Sequence, residues 1–219
     1  MLAGNVGVPS GNTYGSAAFI SSLASGPAIV LTQQSIGRAP INRIAVRRDD
    51  VAIDTAKWFT FRDPVMNAED AAAWIGKLSG ATIANDEVIG FTTATGAPTV
   101  IAREGSSAPG TNAIFSSFKS VALPDGALGP IFSASLLPGA SGASILNDTG
   151  LWATTSTGEL MLICRTGNAF AGRIITKFSA IDYVAGSPGQ SRSFNTTRDL
   201  VLSLVFQDGS QSVVRVTIP

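Results

Sequence analysis

Short apolar runs rich in β-branched and aromatic residues alternate along this chain with clusters of Gly, Pro, Asn, Asp and Ser. That pattern predicts strands separated by turns. The runs fall into four types that recur in a constant order. The first type covers 16–23, 71–78, 129–136 and 199–206. The second lies near 28–33, 87–92, 150–155 and 212–217. The third, at 42–47, 98–103 and 160–165, is an apolar run that ends in arginine. The fourth carries spaced aromatics, as in Trp58-Phe59-Thr60-Phe61, Phe115-Ser116-Ser117-Phe118 and Ile175-Thr176-Lys177-Phe178. Ala71-Ala72-Ala73 favours helix by propensity, but register with the other copies makes this segment a strand.

The first type carries an internal repeat. Asn12-Thr13-Tyr14-Gly15-Ser16-Ala17-Ala18-Phe19 returns in weakened form from Asn67 to Trp74, Asp125 to Phe132 and Asn195 to Leu202. Each copy is followed by a large apolar residue: Leu23, Leu78, Leu136 and Phe206. A repeat of this kind is one supersecondary unit copied several times. Its lengthening intervals suit insertions in surface loops, which a scaffold tolerates cheaply. The approximate repeats are 1–41 (partial), 42–97, 98–158 and 159–219, within one repeat domain spanning 1–219. The fold class expected is all-β, with tandem four-stranded antiparallel repeats forming a partial or open β-propeller. An open solenoid and two packed sheets are the other arrangements of such repeats.

Fourteen strands do not divide into whole four-stranded blades. Both ends of the chain offer the first and second strand types, so they duplicate each other and do not complete a shared blade. The expectation is an exposed blade edge, and exposed edges recruit further strands. Self-association, or a longer chain whose neighbours cover the edge, follows from that count.

Several residues of the repeat carry a resemblance. Asn12, Gly15, Ala18 and Phe19, together with Ala102-Arg103-Glu104-Gly105, Ala108-Pro109-Gly110 and Asn147-Asp148-Thr149-Gly150-Leu151-Trp152, resemble the exported bacterial tandem-repeat proteins of the NxxGxxAF, or choice-of-anchor, type. The resemblance implies a propeller-like, extracellular or cell-surface bacterial protein. It implies no catalytic residue set. The N-terminus lacks the basic and apolar regions of a signal peptide, and the C-terminal Val213-Val214-Arg215-Val216 reads as a strand, not an anchor. The chain is therefore a trimmed piece, or its location differs from that of its relatives.

Composition narrows the chemistry. Of 219 residues, 45% are hydrophobic and 14% charged, which places the chain among folded proteins. Fifteen basic and fifteen acidic residues cancel, and no basic stripe marks a nucleic-acid surface. No apolar stretch reaches the ~20 residues of a membrane span. Histidine is absent, which removes the commonest general base, the usual zinc ligand and every Ser-His or Cys-His pair. The single cysteine, Cys164, lies in the apolar run Leu160-Met161-Leu162-Ile163-Cys164 and reads as a small buried hydrophobe.

The remaining candidates each have a structural and a functional reading. The repeated Asn or Asp at 12, 67, 125 and 195 makes an Asx-type turn, or lines a loop that binds a ligand once per blade. Arg47, Arg103 and Arg165 form inter-blade ion pairs or bind loop carbonyls; as a ring of guanidinium groups they would instead recognise an acidic glycan or a carboxylate. Asn85-Asp86-Glu87 and Asn147-Asp148 read as turns, since neither supplies the six to eight oxygens of a calcium site. Asp49-Asp50 and Glu69-Asp70 read as solvated loops; glycoside hydrolysis would need two carboxyl groups across one bond. Trp58, Trp74 and Trp152 occupy repeated strand positions and read as core, with sugar stacking as the alternative. The function expected is a non-catalytic structural or binding scaffold with no metal and no cofactor, whose partner is a protein or a glycan. A lectin-like propeller module is the alternative, and a carboxylate-dependent glycoside hydrolase comes third.

Overall fold

The computed structural model describes residues 6–139, 142–180, 195 and 197–219, and among these it holds strands and no helix. The N-terminal pentapeptide and residue 196 of the fourth repeat copy lie outside the described residues. Four antiparallel sheets follow one another along the chain. The first comprises β1 (Ser10–Gly11), β2 (Ala17–Leu23), β3 (Gly26–Gln33) and β4 (Ile41–Arg47), in that spatial order. The second contains β5 (Val51–Ile53), β6 (Ala56–Phe61), β7 (Val65–Met66), β8 (Ala72–Ser79), β9 (Glu87–Thr92) and β10 (Thr99–Arg103). Its order is β10-β9-β8-β6-β5, with β7 also paired to β8. The third runs β11 (Phe115–Ala122), β12 (Ile131–Leu136), β13 (Thr149–Thr154) and β14 (Leu160–Arg165). The fourth runs β15 (Ala169–Phe170), β16 (Arg173–Ala180), β17 (Asp199–Phe206) and β18 (Gln211–Thr217).

All fourteen strands read from the sequence are present, and the four recurring types occupy constant places in their sheets. The order across the sheets is the fourth type, the first, the second and, in the first three sheets, the arginine-ending third, with β5 and β15 paired outside the fourth type in the second and fourth sheets. The sheets are therefore phased differently from the sequence repeats, beginning at the fourth type and ending at the third. The fold is all-β, an open propeller-like array of four-stranded antiparallel units.

Three apolar seams join consecutive sheets. Ala18, Ile29, Leu31 and Val46 of the first sheet meet Trp58, Trp74, Leu78 and Val88 of the second. Ile75, Ile89 and Ala102 on the second sheet's other face meet Phe115, Phe118, Phe132 and Trp152 of the third. Ile131, Leu151, Ala153 and Cys164 meet Ile175, Leu200, Leu202, Leu204 and Phe206 of the fourth. Adjacent residues thus serve opposite seams, as Trp74 and Ile75 do, because successive side chains of a strand point to opposite faces. The middle sheets are apolar on both faces for this reason. The fourth sheet is not: Leu200, Leu202 and Leu204 are buried, while Val201 between them is 41% exposed.

The alanine run resolves as strand because of this packing. Ala72 belongs to the seam with the first sheet, and Ala71 and Ala73 pack with Phe91 and Leu123 on the other side. Small side chains are needed where two sheets close on one strand, and tertiary burial outweighs helix propensity.

The chain ends differ from the expectation. The first sheet does carry a fourth-type element, the short β1, with an outlying bridge from Val6 to Ser21. The two ends therefore do not duplicate each other. Among the described residues the last sheet has no third-type strand, so β18 there lacks the neighbour that β4, β10 and β14 give β3, β9 and β13. The expected strand 28–33 is the body of β3, paired on both sides, with a register shift at Ile29/Val30 against β4.

Candidate functional site

Each third-type strand runs antiparallel to the second, so its terminal arginine arrives beside the loop that precedes the second strand. Arg103 Nε donates to the Asn85 carbonyl at 2.9 Å, and Arg165 Nε donates to the Asn147 carbonyl at 2.6 Å. The loops they hold share one construction. Asn85 Oδ1 accepts from Thr82 N at 2.8 Å, and Asn147 Oδ1 accepts from Ser144 N at 2.6 Å. Gly105 (φ 78°) and Gly167 (φ 81°) then lie against Asn85 and Asn147, where a side chain would collide. These contacts answer the Asn85-Asp86-Glu87 and Asn147-Asp148 segments as turn chemistry. Among the described residues no group of three or more acidic or cysteine side chains is arranged to hold a metal ion.

Arg47 departs from its two equivalents. A tight turn at Ala24-Ser25 joins β2 and β3, so no loop carbonyl is there to receive it. Its backbone N–H donates to Asp50 Oδ2 at 2.7 Å, and its side chain is exposed. Of the two structural readings, the bond to a loop carbonyl is the one that Arg103 and Arg165 show, and these bonds stay within their own sheets. Of the three, Arg103 also lines a cavity.

That cavity is an open groove of about 230 Å³. The second sheet curls until its opposite edges, β5 and β10, lie against each other. Ile53 of β5 and Val100 of β10 form one wall. Phe115 and Leu160 of the third sheet form the other, and Ser106, Ser107 and Pro109 make the rim. Arg103 sits in this lining with its side chain 18% exposed. Its NH1 group is 3.5 Å from Asp54 Oδ2, on a carboxylate that is 78% exposed. Such an exposed pair is weak, so the Asn85 carbonyl is what fixes the guanidinium. Beside it, burial pushes the Glu104 carboxyl above its usual range, and the nearby Asp86 and Glu87 charges push it further.

The other sequence candidates serve the scaffold. Asn12 Oδ1 accepts from Tyr14 N and Ser16 N, the expected Asx geometry, and its Nδ2 donates to the Asn67 carbonyl at 3.0 Å. Asn67 repeats this, with Oδ1 accepting from Ala71 N and Nδ2 donating to the Pro124 carbonyl at 3.2 Å. Asp125, which has no amide to donate, accepts from Ala68 N instead. The motif therefore turns the chain and also ties the first sheet to the second and the second to the third. Where the motif glycine is lost, the left-handed backbone of Gly15 (φ 84°) persists at Asp70 (φ 58°) and Arg198 (φ 66°).

Trp58, Trp74 and Trp152 are fully buried, so none offers a face to a sugar. Each indole lies over a glycine: Gly76, Gly90 and Gly150 respectively. The paired carboxylates are separated in use. Asp50 caps Arg47, Glu69 Oε2 accepts from Gly126 N, and Asp70 Oδ1 accepts from Asn12 Nδ2. Cys164 is buried in the third seam, and desolvation pushes its thiol up to about 12.

Sequence reasoning missed Ile53, Asp54, Ser106, Ser107 and Leu160 as neighbours of Arg103. They come from three separate segments, brought together by the curling of the second sheet and its packing against the third. Residues 3–219 match a family of unknown function, DUF7453. The chain belongs to that family. No curated protein and no solved structure is matched. The DUF7453 match spans all four sheets, so the family unit is the whole array and not a single blade.

Proposed function

We propose that this DUF7453 chain is a non-catalytic binding scaffold whose binding position is the groove beside Arg103. The observation that carries this is the fixed guanidinium: an arginine anchored through Nε at the wall of an open, mostly apolar cavity. Arginine presented in this way recognises ligands through its remaining N–H groups without losing much rotamer freedom on binding. The polar residues of the repeats otherwise hold turns and sheets together, as Asn12, Asn67, Asn85, Asn147 and Arg165 do. Location outside the cell or on its surface, in a bacterium, rests on the resemblance of the Asn12–Phe19 repeat to exported proteins.

The test is a fragment screen on the full chain by NMR. Ligands that shift the resonances of Val100, Ser106 and Leu160 support the reading. A screen in which every hit maps elsewhere overturns it. We extend the proposal to the open edge of β18, which another strand of this chain or of a neighbour can cover. Sedimentation across a dilution series tests that part, and a monomer at all concentrations counts against self-association.

A further inference from the structure

We propose that the Arg103 groove takes a carboxylate carried on a short apolar body. This rests on the reading of the groove as the binding position and adds the ligand's chemistry. Two halves of the lining point to two halves of the ligand. Ile53, Val100, Phe115 and Leu160 give an apolar trough. Arg103 stands at its wall with Nε committed to Asn85, which leaves its terminal nitrogens for an acceptor. A guanidinium whose remaining donors are held in a plane pairs best with a planar carboxylate. The Ser106 and Ser107 hydroxyls on the rim can donate to the same group.

Size limits the body. The groove's 230 Å³ is below the roughly 300–1,000 Å³ of sites that enclose drug-sized ligands. One short branched chain, or one apolar side chain, fills it. An acidic glycan is a poorer match, because its hydroxyls would face aliphatic walls without partners. Two sources share the chemistry that remains: a free short-chain acid, and the C-terminal carboxylate of a peptide ending in an aliphatic residue.

Asp54 already occupies part of the guanidinium's field, at 3.5 Å from NH1. It acts as an internal competitor for the carboxylate, and removing its charge frees Arg103 for the ligand.

The experiment is an NMR titration of the full chain with 4-methylpentanoate and its amide, and with acetyl-Gly-Leu bearing a free or amidated C-terminus. The acids should bind about tenfold more tightly than their amides, shifting Val100 and Leu160. Asp54→Asn should tighten acid binding severalfold and leave the amides unchanged. Arg103→Gln should remove the preference for acid over amide; if that variant does not fold, the acid–amide pairs and Asp54→Asn decide alone. Binding of only the peptide acid, or only the free acid, supports the proposal and names the source. Amides that bind as well as acids at the groove overturn the ligand class while the groove stands. A groove that no probe and no screened fragment perturbs overturns both.

Discussion

Glu87 reaches across the seam between the second and third sheets to the backbone of Phe118, where its Oε2 accepts the Phe118 N–H at 2.6 Å. Arg62 completes the link. Its NH2 group lies 2.7 Å from Glu87 Oε1, and its NH1 group donates to the Phe118 carbonyl at 3.1 Å. Phe118 lies beside a register shift in β11, the edge strand of its sheet. The ion pair thus supplies a donor and an acceptor that a further strand would otherwise give. The third sheet has a pair at the equivalent positions, Lys119 Nζ donating to Thr149 Oγ1 at 3.0 Å, but that bond stays within the sheet.

Glu87→Ala should therefore destabilise the array by about 3 kcal/mol, because it strands a buried N–H and releases Arg62. Lys119→Ala, on the exposed counterpart, should cost under about 1 kcal/mol. Urea unfolding of both variants measures the difference, and equal midpoints would contradict the account of the seam.

How much of this was legible in the sequence differs by level. The strands were legible because each apolar run is long enough to bury, and because four copies confirm one another's register. The Asx turns at Asn12 and Asn67 were legible from the side chain alone. The role of Arg103 was only half legible. Arg47 ends the same motif without such a bond, because the β2–β3 connection is a tight turn while the β8–β9 connection is a longer loop that contains Asn85. The strand motif places an arginine at the end, and loop length in another segment decides what it meets. The groove was not legible, since it depends on three-residue β5 drawing Ile53 towards β10. Nor was β1, a two-residue strand with no apolar run.

The Phe of the repeat motif is a load on the second seam. Phe132 is 1% exposed, with its ring centroid 5.5 Å from Phe118 and 6.1 Å from Trp152. Phe132→Ala should cost roughly 3–5 kcal/mol. Thermal unfolding checks it, and an unchanged melting temperature would contradict the packing of this face.

Gly90 makes room for Trp74. The two residues are cross-strand partners, and a Cβ at Gly90 would run into the indole Cε2 and Nε1 atoms. Gly90→Ala should cost at least about 1–3 kcal/mol through overpacking. Gly11→Ala is the matched control, since its Cβ would meet only Ser16 O at 3.5 Å; it should change stability by less than about 1 kcal/mol. Comparable losses in the two variants would show that glycine entropy, not the Trp74 contact, is at work.

Ala171 carries strain that a single substitution removes. With Gly172 it forms the turn between β15 and β16, and both residues have positive φ, 50° and 77°. Hairpin turns of this kind favour residues that tolerate a left-handed backbone, and alanine does so only at a cost of about 1–2 kcal/mol. Ala171 is exposed, so no packing is lost on shortening it. Ala171→Gly should raise the melting temperature by about 2–4 °C. A fall would mean that the turn owes its shape to something other than these two dihedral angles.

Glu104 gives the pH dependence its sign. Desolvation raises its carboxyl above the ordinary value, and Asp86 and Glu87 add to the effect. A carboxyl that is harder to ionise in the folded chain than in the unfolded one favours folding when protonated. Its contribution is therefore most favourable below the unfolded value of about 4.3, and it declines as pH rises through the higher folded value. Glu104→Gln removes this titration, and a glutamine oxygen can still accept from Glu87 N as Glu104 Oε2 does at 3.3 Å. The variant should match the wild type in acid and become the more stable of the two as pH rises towards neutrality. Because other carboxylates titrate in the same range, the quantity to measure is the difference in unfolding free energy between the two proteins at each pH. A difference that stays flat from acid to neutral pH, or that favours the wild type at neutrality, would show that Glu104 meets a compensating positive charge in the fold.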